Sequence, residues 1–172
     1  ANYYGRLVSL EGVPISILMQ NLTIQSGCSQ LVDLPTTPQS FIIMNDVTLK
    51  DFVFPADSLV SAVNSTFTAN SVFVQNTSSH MILKSSTISL ANYSCISNHI
   101  IDYQGGCFNL DGSNITISNS TFEKNSASSG GAFYTVNMPP INISGISSNN
   151  ASLYGQNFAS EAVGYNLTLF RI

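Results

Sequence analysis

Asn119-Ser120-Thr121-Phe122-Glu123-Lys124-Asn125-Ser126 reappears upstream as Asn64-Ser65-Thr66-Phe67-Thr68-Ala69-Asn70-Ser71. The offset of 55 residues is about two periods of 27, and a worn copy, Asn92-Tyr93-Ser94-Cys95-Ile96-Ser97-Asn98, stands between them. A double glycine follows the worn copy (Gly105-Gly106-Cys107-Phe108) and the last one (Gly130-Gly131-Ala132-Phe133). Alternating triplets recur as well: Leu22-Thr23-Ile24, Val47-Thr48-Leu49, Ile88-Ser89-Leu90, Ile115-Thr116-Ile117 and Ile141-Asn142-Ile143. Their first residues lie 25, 41, 27 and 26 apart, and the gap of 41 holds two shorter coils if Phe67 belongs to the missing member.

A repeat of this length, made of three- to six-residue alternating strands and tight turns, is the signature of a solenoid. Pro and Gly fall mostly between the strands, and no ten-residue run carries helical spacing. The prediction is an all-β chain, a right-handed parallel β-helix of about six coils of roughly 20–27 residues. Handedness here rests on the general preference of parallel crossovers. Phe67 and Phe122 belong to the predicted core, and Asn70, Asn98 and Asn125 to one inward amide ladder. Residues 1–172 read as a single β-helix segment, and the absence of an initiating Met or signal peptide is expected if it belongs to a longer repeat protein.

The composition fits that architecture. Lys, Arg, Asp and Glu number only 14 of 172 residues, whereas Asn, Ser and Thr number 57. Leu, Ile, Val and Phe add 51, too many for a disordered tail. A net charge of −4 without a basic cluster excludes nucleic-acid binding by phosphate neutralisation. No apolar run approaches the roughly 18 residues of a bilayer-spanning helix, so no membrane span is expected in this segment.

Phe122-Glu123-Lys124-Asn125 with Gly130-Gly131-Ala132-Phe133 resembles the repeat of the polymorphic outer membrane protein family, bacterial surface adhesins with a pectin-lyase-like right-handed β-helix. Phe67-Thr68-Ala69-Asn70 matches the first half of that motif, and Cys95 replaces its Phe in the middle copy. Similar repeats occur in large cell-surface proteins of ciliates. Residues 151–160 are similar to the way such arrays end. The resemblance spans roughly residues 41–172 and implies a surface setting without supplying an active site.

Asn-x-Ser/Thr sequons stand at Asn21, Asn64, Asn76, Asn92, Asn114, Asn119, Asn142, Asn150 and Asn166. Ser and Thr frequency would place roughly four of 18 Asn in sequons by chance, and nine are present. Repetition of Asn-Ser-Thr itself accounts for Asn64, Asn92 and Asn119. Asn21, Asn114 and Asn166 precede apolar-Thr-apolar triplets, which turns them outward, as alternation does Asn142. Asn76 and Asn150 fall in expected loops. These six are the leading glycan carriers. Asn64, Asn92 and Asn119 sit at strand-to-turn junctions, can equally face inward, and are weaker candidates.

Three Cys are too few for a disulfide scaffold. Cys95 and Cys107, twelve apart, can bridge a corner, although Cys95 also fits as a small core residue in place of Phe; Cys28 has no obvious partner. His80 and His99 lack a neighbour at metal-ligand spacing, so no metal or cofactor is expected. The acids Asp33, Asp46, Asp51 and Asp57 form the one dense stretch, but Asp46 and Asp51 flank a strand at opposite ends. Tyr3, Tyr4 and Tyr154 fall in turn-like segments that can present a sugar platform.

No catalytic residue is assigned. The expectation is a non-enzymatic extracellular structural or adhesive glycoprotein segment. Its expected partners are covalent N-glycans and neighbouring β-helix segments or identical chains stacked end to end. The rivals are a carbohydrate-active enzyme, an inactive relative of one, and a lectin-like module.

Overall fold

The structure, a computed structural model, describes residues 6–25, 30–36, 39–52, 58–141 and 143–161. Three backbone positions per coil take the left-handed conformation, and these positions turn extended chain into a three-sided coil. One corner column is Asn21, Asp46, Ser71, Asn92 and Asn119, with φ between +47° and +54°. A second is Asn64, Ser85, Gly112 and Asn137, and a third is Asp51, Asn76, Ser97, Lys124 and Ser148. Left-handed φ is open to Gly and tolerated by Asn and Asp, which hydrogen-bond locally. That preference is one reason the chain is rich in asparagine.

The first face is a seven-stranded parallel sheet. Its strands in spatial order are β1 (Arg6–Ser9), β3 (Gln30–Leu34), β5 (Val60–Val63), β7 (Met81–Lys84), β10 (Phe108–Asp111), β14 (Phe133–Val136) and β17 (Phe158–Ser160). The second and third faces share one sheet, folded along the first corner column. In the early coils a single strand runs through that corner: β2 (Ser16–Gln25), β4 (Phe41–Lys50) and β6 (Thr66–Gln75). In later coils the corner splits it into β8 (Thr87–Ala91) and β9 (Ser94–Ile96), then β11 (Asn114–Ser118) and β12 (Thr121–Glu123), with β15 (Ile146–Ser147) continuing the third face. A small additional sheet pairs β13 (Ser126–Ser129) with β16 (Asn150–Tyr154). Every strand pairing is parallel.

The pairs Arg6–Gln30, Val32–Val60, Val60–Met81, Met81–Phe108, Phe108–Phe133 and Phe133–Phe158 set coil lengths of 24, 28, 21, 27, 25 and 25 residues. The solenoid therefore has about six turns, as the repeat predicts. Alternate residues of every face point inward and stack on their equivalents. Phe108, Phe133 and Phe158 stack with ring centroids 5.5 and 5.3 Å apart, and Phe67 and Phe122 are fully buried. Burying one such side chain contributes about 2 kcal/mol.

Just past a corner the backbone N–H has left the sheet ladder and needs another acceptor. Inward polar side chains supply it. Asn98, Asn125 and Asn149 each offer Oδ1 to the backbone N–H of the matching residue one coil earlier: Thr77, Asn98 and Asn125, at 2.9, 3.0 and 2.9 Å. The amide groups of the last two reach the same earlier coil, Asn125 Nδ2 donating to the Cys95 carbonyl and Asn149 Nδ2 to that of Phe122, both at 2.9 Å, whereas Asn98 Nδ2 donates to Cys95 Sγ in its own coil. Serine does the same work at the second corner, where Ser65 N and Ser86 N donate to Ser86 Oγ and Ser113 Oγ at 3.1 and 3.0 Å.

Two expectations are corrected. Asn70 does not join the inward ladder; it is exposed and donates to Asn45 Oδ1 at 3.0 Å. The two matching octapeptides occupy different corners: Phe122 lies over Cys95 and then Val74, whereas Phe67 pairs with Ile88. The triplets likewise belong to two faces. Leu22–Ile24 and Val47–Leu49 align with residues 72–74 on the third face, whereas Ile88–Leu90 aligns with residues 67–69 on the second. The 41-residue gap does hold two coil steps, with Phe67 in the coil between, one step from Ile42 and one from Ile88; the change of face only shortens the count.

Asn125 is wholly buried. Asn125→Leu leaves the Asn98 N–H and the Cys95 carbonyl without this partner, so chemical denaturation should show a loss of about 2–4 kcal/mol. Exposed Asn70→Leu should change stability by less than about 0.5 kcal/mol.

Candidate functional site

The seven described sequon asparagines, Asn21, Asn64, Asn76, Asn92, Asn114, Asn119 and Asn150, are all exposed. This corrects the reading in which Asn64, Asn92 and Asn119 can face inward. Asn142 and Asn166 lie outside the described residues. Five of the seven (Asn21, Asn64, Asn76, Asn92 and Asn119) are left-handed corner residues. The corner explains the sequon itself. The left-handed position favours Asn, the next residue faces in, and the one after faces out on a strand, where Thr and Ser fit. Asn64-Ser65-Thr66 follows that rule with Ser65 buried and Thr66 half-buried. Asn114 and Asn150 are sequons outside the corner columns.

The described acids do not converge. Asp46 and Asp51 occupy successive corners of one coil, and Asp51 accepts from Gln25 Nε2 and Asn76 Nδ2 at 2.9 and 2.8 Å in an exposed ladder. Asp111 accepts from Asn137 Nδ2 at 3.0 Å at the second corner, one coil apart. Asp33 is buried in the first face, and Asp57 lies outside the described residues. Among the described residues no three of His, Cys, Asp and Glu stand close enough to hold a metal ion. Open clefts of about 610 and 480 Å³ are present, the larger lined by Ile115, Ile117, Met138, Pro139 and Pro140 and the smaller by Phe41, Asn64 and Thr87. Neither contains an ionisable side chain.

Cys95 and Cys107 form a disulfide with Cα atoms 6.3 Å apart. It clips the loop 96–106, which leaves the third corner and rejoins the first face. Cys28 is outside the described residues. The preceding coil is the shortest, and its His80 lies under this loop, its ring 6.1 Å from that of Tyr103. Neither His80 ring nitrogen has a hydrogen-bond partner among the described residues, and burial pushes its pKa down to about 4. His99 is exposed, its ring Nδ1 against the Ser126 hydroxyl.

Burial raises the pKa of the Tyr93 hydroxyl well above its usual range; that hydroxyl has no hydrogen-bond partner among the described residues, and its ring packs against Phe108 and Phe122. Burial, and then the 2.7 Å hydrogen bond it donates to Glu161, raise Tyr134 likewise. Tyr103 and Tyr154 are exposed, and Tyr3 and Tyr4 lie outside the described residues.

Compared with protein-family models, curated proteins and solved structures, the chain matches none. The likeness to outer-membrane adhesin repeats thus stands on its motifs alone. Sequence reading missed Asn149 and the Ser65, Ser86 and Ser113 ladder. The available signal was position, since each directly follows a left-handed corner residue.

Two outcomes test these features. Cys95→Ala with Cys107→Ala should lower stability by about 3 kcal/mol, the value for closing a loop of this length, measured by denaturation without reductant. His80 is held neutral when folded and protonates near its ordinary pKa when unfolded, so its contribution is complete above about pH 6.5 and fades as pH falls towards 4. The unfolding free energy from urea titration should drop across that window, by at most about 3 kcal/mol, and His80→Phe should flatten the drop.

Proposed function

We propose that this chain is a non-catalytic structural segment of an extracellular glycoprotein, a β-helix rod that builds a filament or surface coat. The observation that carries the reading is how its polar side chains are used. Buried Asn and Ser ladders and exposed amide–carboxylate pairs hold coil to coil, and the described acids do not gather around a common cleft. The extracellular setting draws on the Cys95–Cys107 disulfide, which is at home in an oxidising compartment, and on the exposure of all seven described sequon asparagines. The motif resemblance to polymorphic outer membrane and ciliate surface repeats agrees with it.

Support for stacking comes from the end at which, among the described residues, no further strand pairs with β1 or β2. β1 and β2 are the outermost strands of their sheets, and inward Val8, Ile15, Leu22 and Ile24 there are only half-buried. A further coil, from another segment or an identical chain, completes both ladders. A lectin-like module is the second reading, favoured by exposed Tyr103 and Tyr154 beside the third face. The enzyme rival lacks a comparable grouping among the described residues.

Intact mass of native material before and after glycosidase, with peptide mapping, tests the proposal. Glycans are expected on several of Asn21, Asn64, Asn76, Asn92, Asn114, Asn119 and Asn150. A bare polypeptide mass would overturn the glycoprotein setting.

A further inference from the structure

The three outer faces differ in charge. The first carries Lys84 and Asp111, and the third carries Lys50 and Glu123. The strands of the second face comprise residues 16–20, 41–45, 66–70, 87–91 and 114–118, which contain no Asp, Glu, Lys, Arg or His at all. Its central outward column runs Leu18, Ile43, Thr68, Ser89 and Thr116. At the β1–β2 end the face is apolar: Leu18 is 60 % exposed and Phe41, diagonally placed on the next strand, 49 %. Towards β11 it becomes a sheet of hydroxyls and amides.

We infer that the second face is a lateral contact between two copies of this chain with their rod axes parallel. The inference rests on the structural-rod reading and adds how rods meet side by side. Charge argues for a second copy. Each chain carries −4, so identical copies gain least repulsion by meeting through the face that has no charge. Symmetry argues for the parallel arrangement. A two-fold axis along the rods sets the central column on itself, Leu18 on Leu18, Ile43 on Ile43 and Thr68 on Thr68, so apolar meets apolar and hydroxyl meets hydroxyl. An antiparallel pair would lay Leu18 on Thr116. The same axis leaves both β1–β2 ends at one end of the pair, free for stacking.

The footprint bounds the strength. Five strands at about 4.8 Å spacing and five residues at about 3.3 Å give roughly 400 Å² per copy, half of the roughly 800 Å² typical of a stable complex. One segment should therefore pair weakly, and a longer rod more firmly.

Sedimentation velocity over about a hundredfold range of concentration tests this on unglycosylated protein, because sequon Asn114 stands on the face and Asn21, Asn64, Asn92 and Asn119 line the corners that flank it. A reversible shift from monomer towards dimer is expected. Leu18→Lys and, separately, Thr68→Lys should each abolish it, whereas Glu123→Lys on the third face should leave it unchanged; circular dichroism verifies folding. Ile24→Lys, at the β1–β2 end, should block any growth beyond the dimer but not the dimer itself. A chain that stays monomeric throughout overturns the inference. So does association that Leu18→Lys and Thr68→Lys leave intact while Ile24→Lys removes it, a result that would keep end-to-end stacking and discard the lateral face. Dimer formation abolished by the face variants, without growth beyond the dimer in the parent chain, would keep the lateral face and discard stacking.

Discussion

Everything in this solenoid depends on one residue per corner holding a left-handed backbone. The conformation turns an extended chain through a tight angle without a loop, so successive strands stay in register with their equivalents one coil away. It also takes the next backbone N–H out of the ladder. The buried Asn, Ser and Thr side chains that follow the corners are the response to that loss. Asn at the corner, a small polar or apolar residue inside it, and Thr or Ser outside are therefore three consequences of one geometry. The low charge has a related origin, because inward positions exclude charge and outward strand positions favour β-branched or small polar side chains.

That coupling decides what was legible in the sequence. The period, the strand type and the parallel stacking were readable because every coil repeats them. Phe67 and Phe122 were recognisable as core, and Asn98 and Asn125 as an inward ladder. The phase within the coil was not readable from motif identity. Two corners impose the same Asn-Ser-Thr-Phe order, so Asn64-Ser65-Thr66-Phe67 looks like Asn119-Ser120-Thr121-Phe122 while lying on another face. Asn70 was misplaced for that reason alone. Asn149 went unseen because its neighbours do not carry the Phe-x-x-Asn spacing, although a left-handed Ser148 precedes it.

Variation in coil length is absorbed at two corners: in the coil from Val32 to Val60 the chain is longer both from Leu34 to Phe41 and from Lys50 to Val60 than in the coil that follows. The coil from Val60 to Met81 takes 21 residues and the next takes 27, and the six extra residues emerge after the third corner. There the longer coil's loop lies over the shorter coil, with Tyr103 against His80 and the disulfide fixing where it returns. Longer connections thus fall at the second and third corners, outside the strands of the second face.

A charge-free face, corners of variable length and an end where β1 and β2 are the outermost described strands are three different kinds of surface on one repeat. The interior fixes none of their outward side chains, because alternation separates what holds the coil together from what it presents. The absence of charge over the whole second face is consequently not a by-product of core packing. Lys50, later on the strand that carries Ile43, and Glu123, on the strand that follows β11, show that charge is accepted outward one corner later. A sheet that tolerates charge and lacks it over five consecutive coils, while keeping Leu18 and Phe41 in solvent, is shaped by what it meets outside the coil.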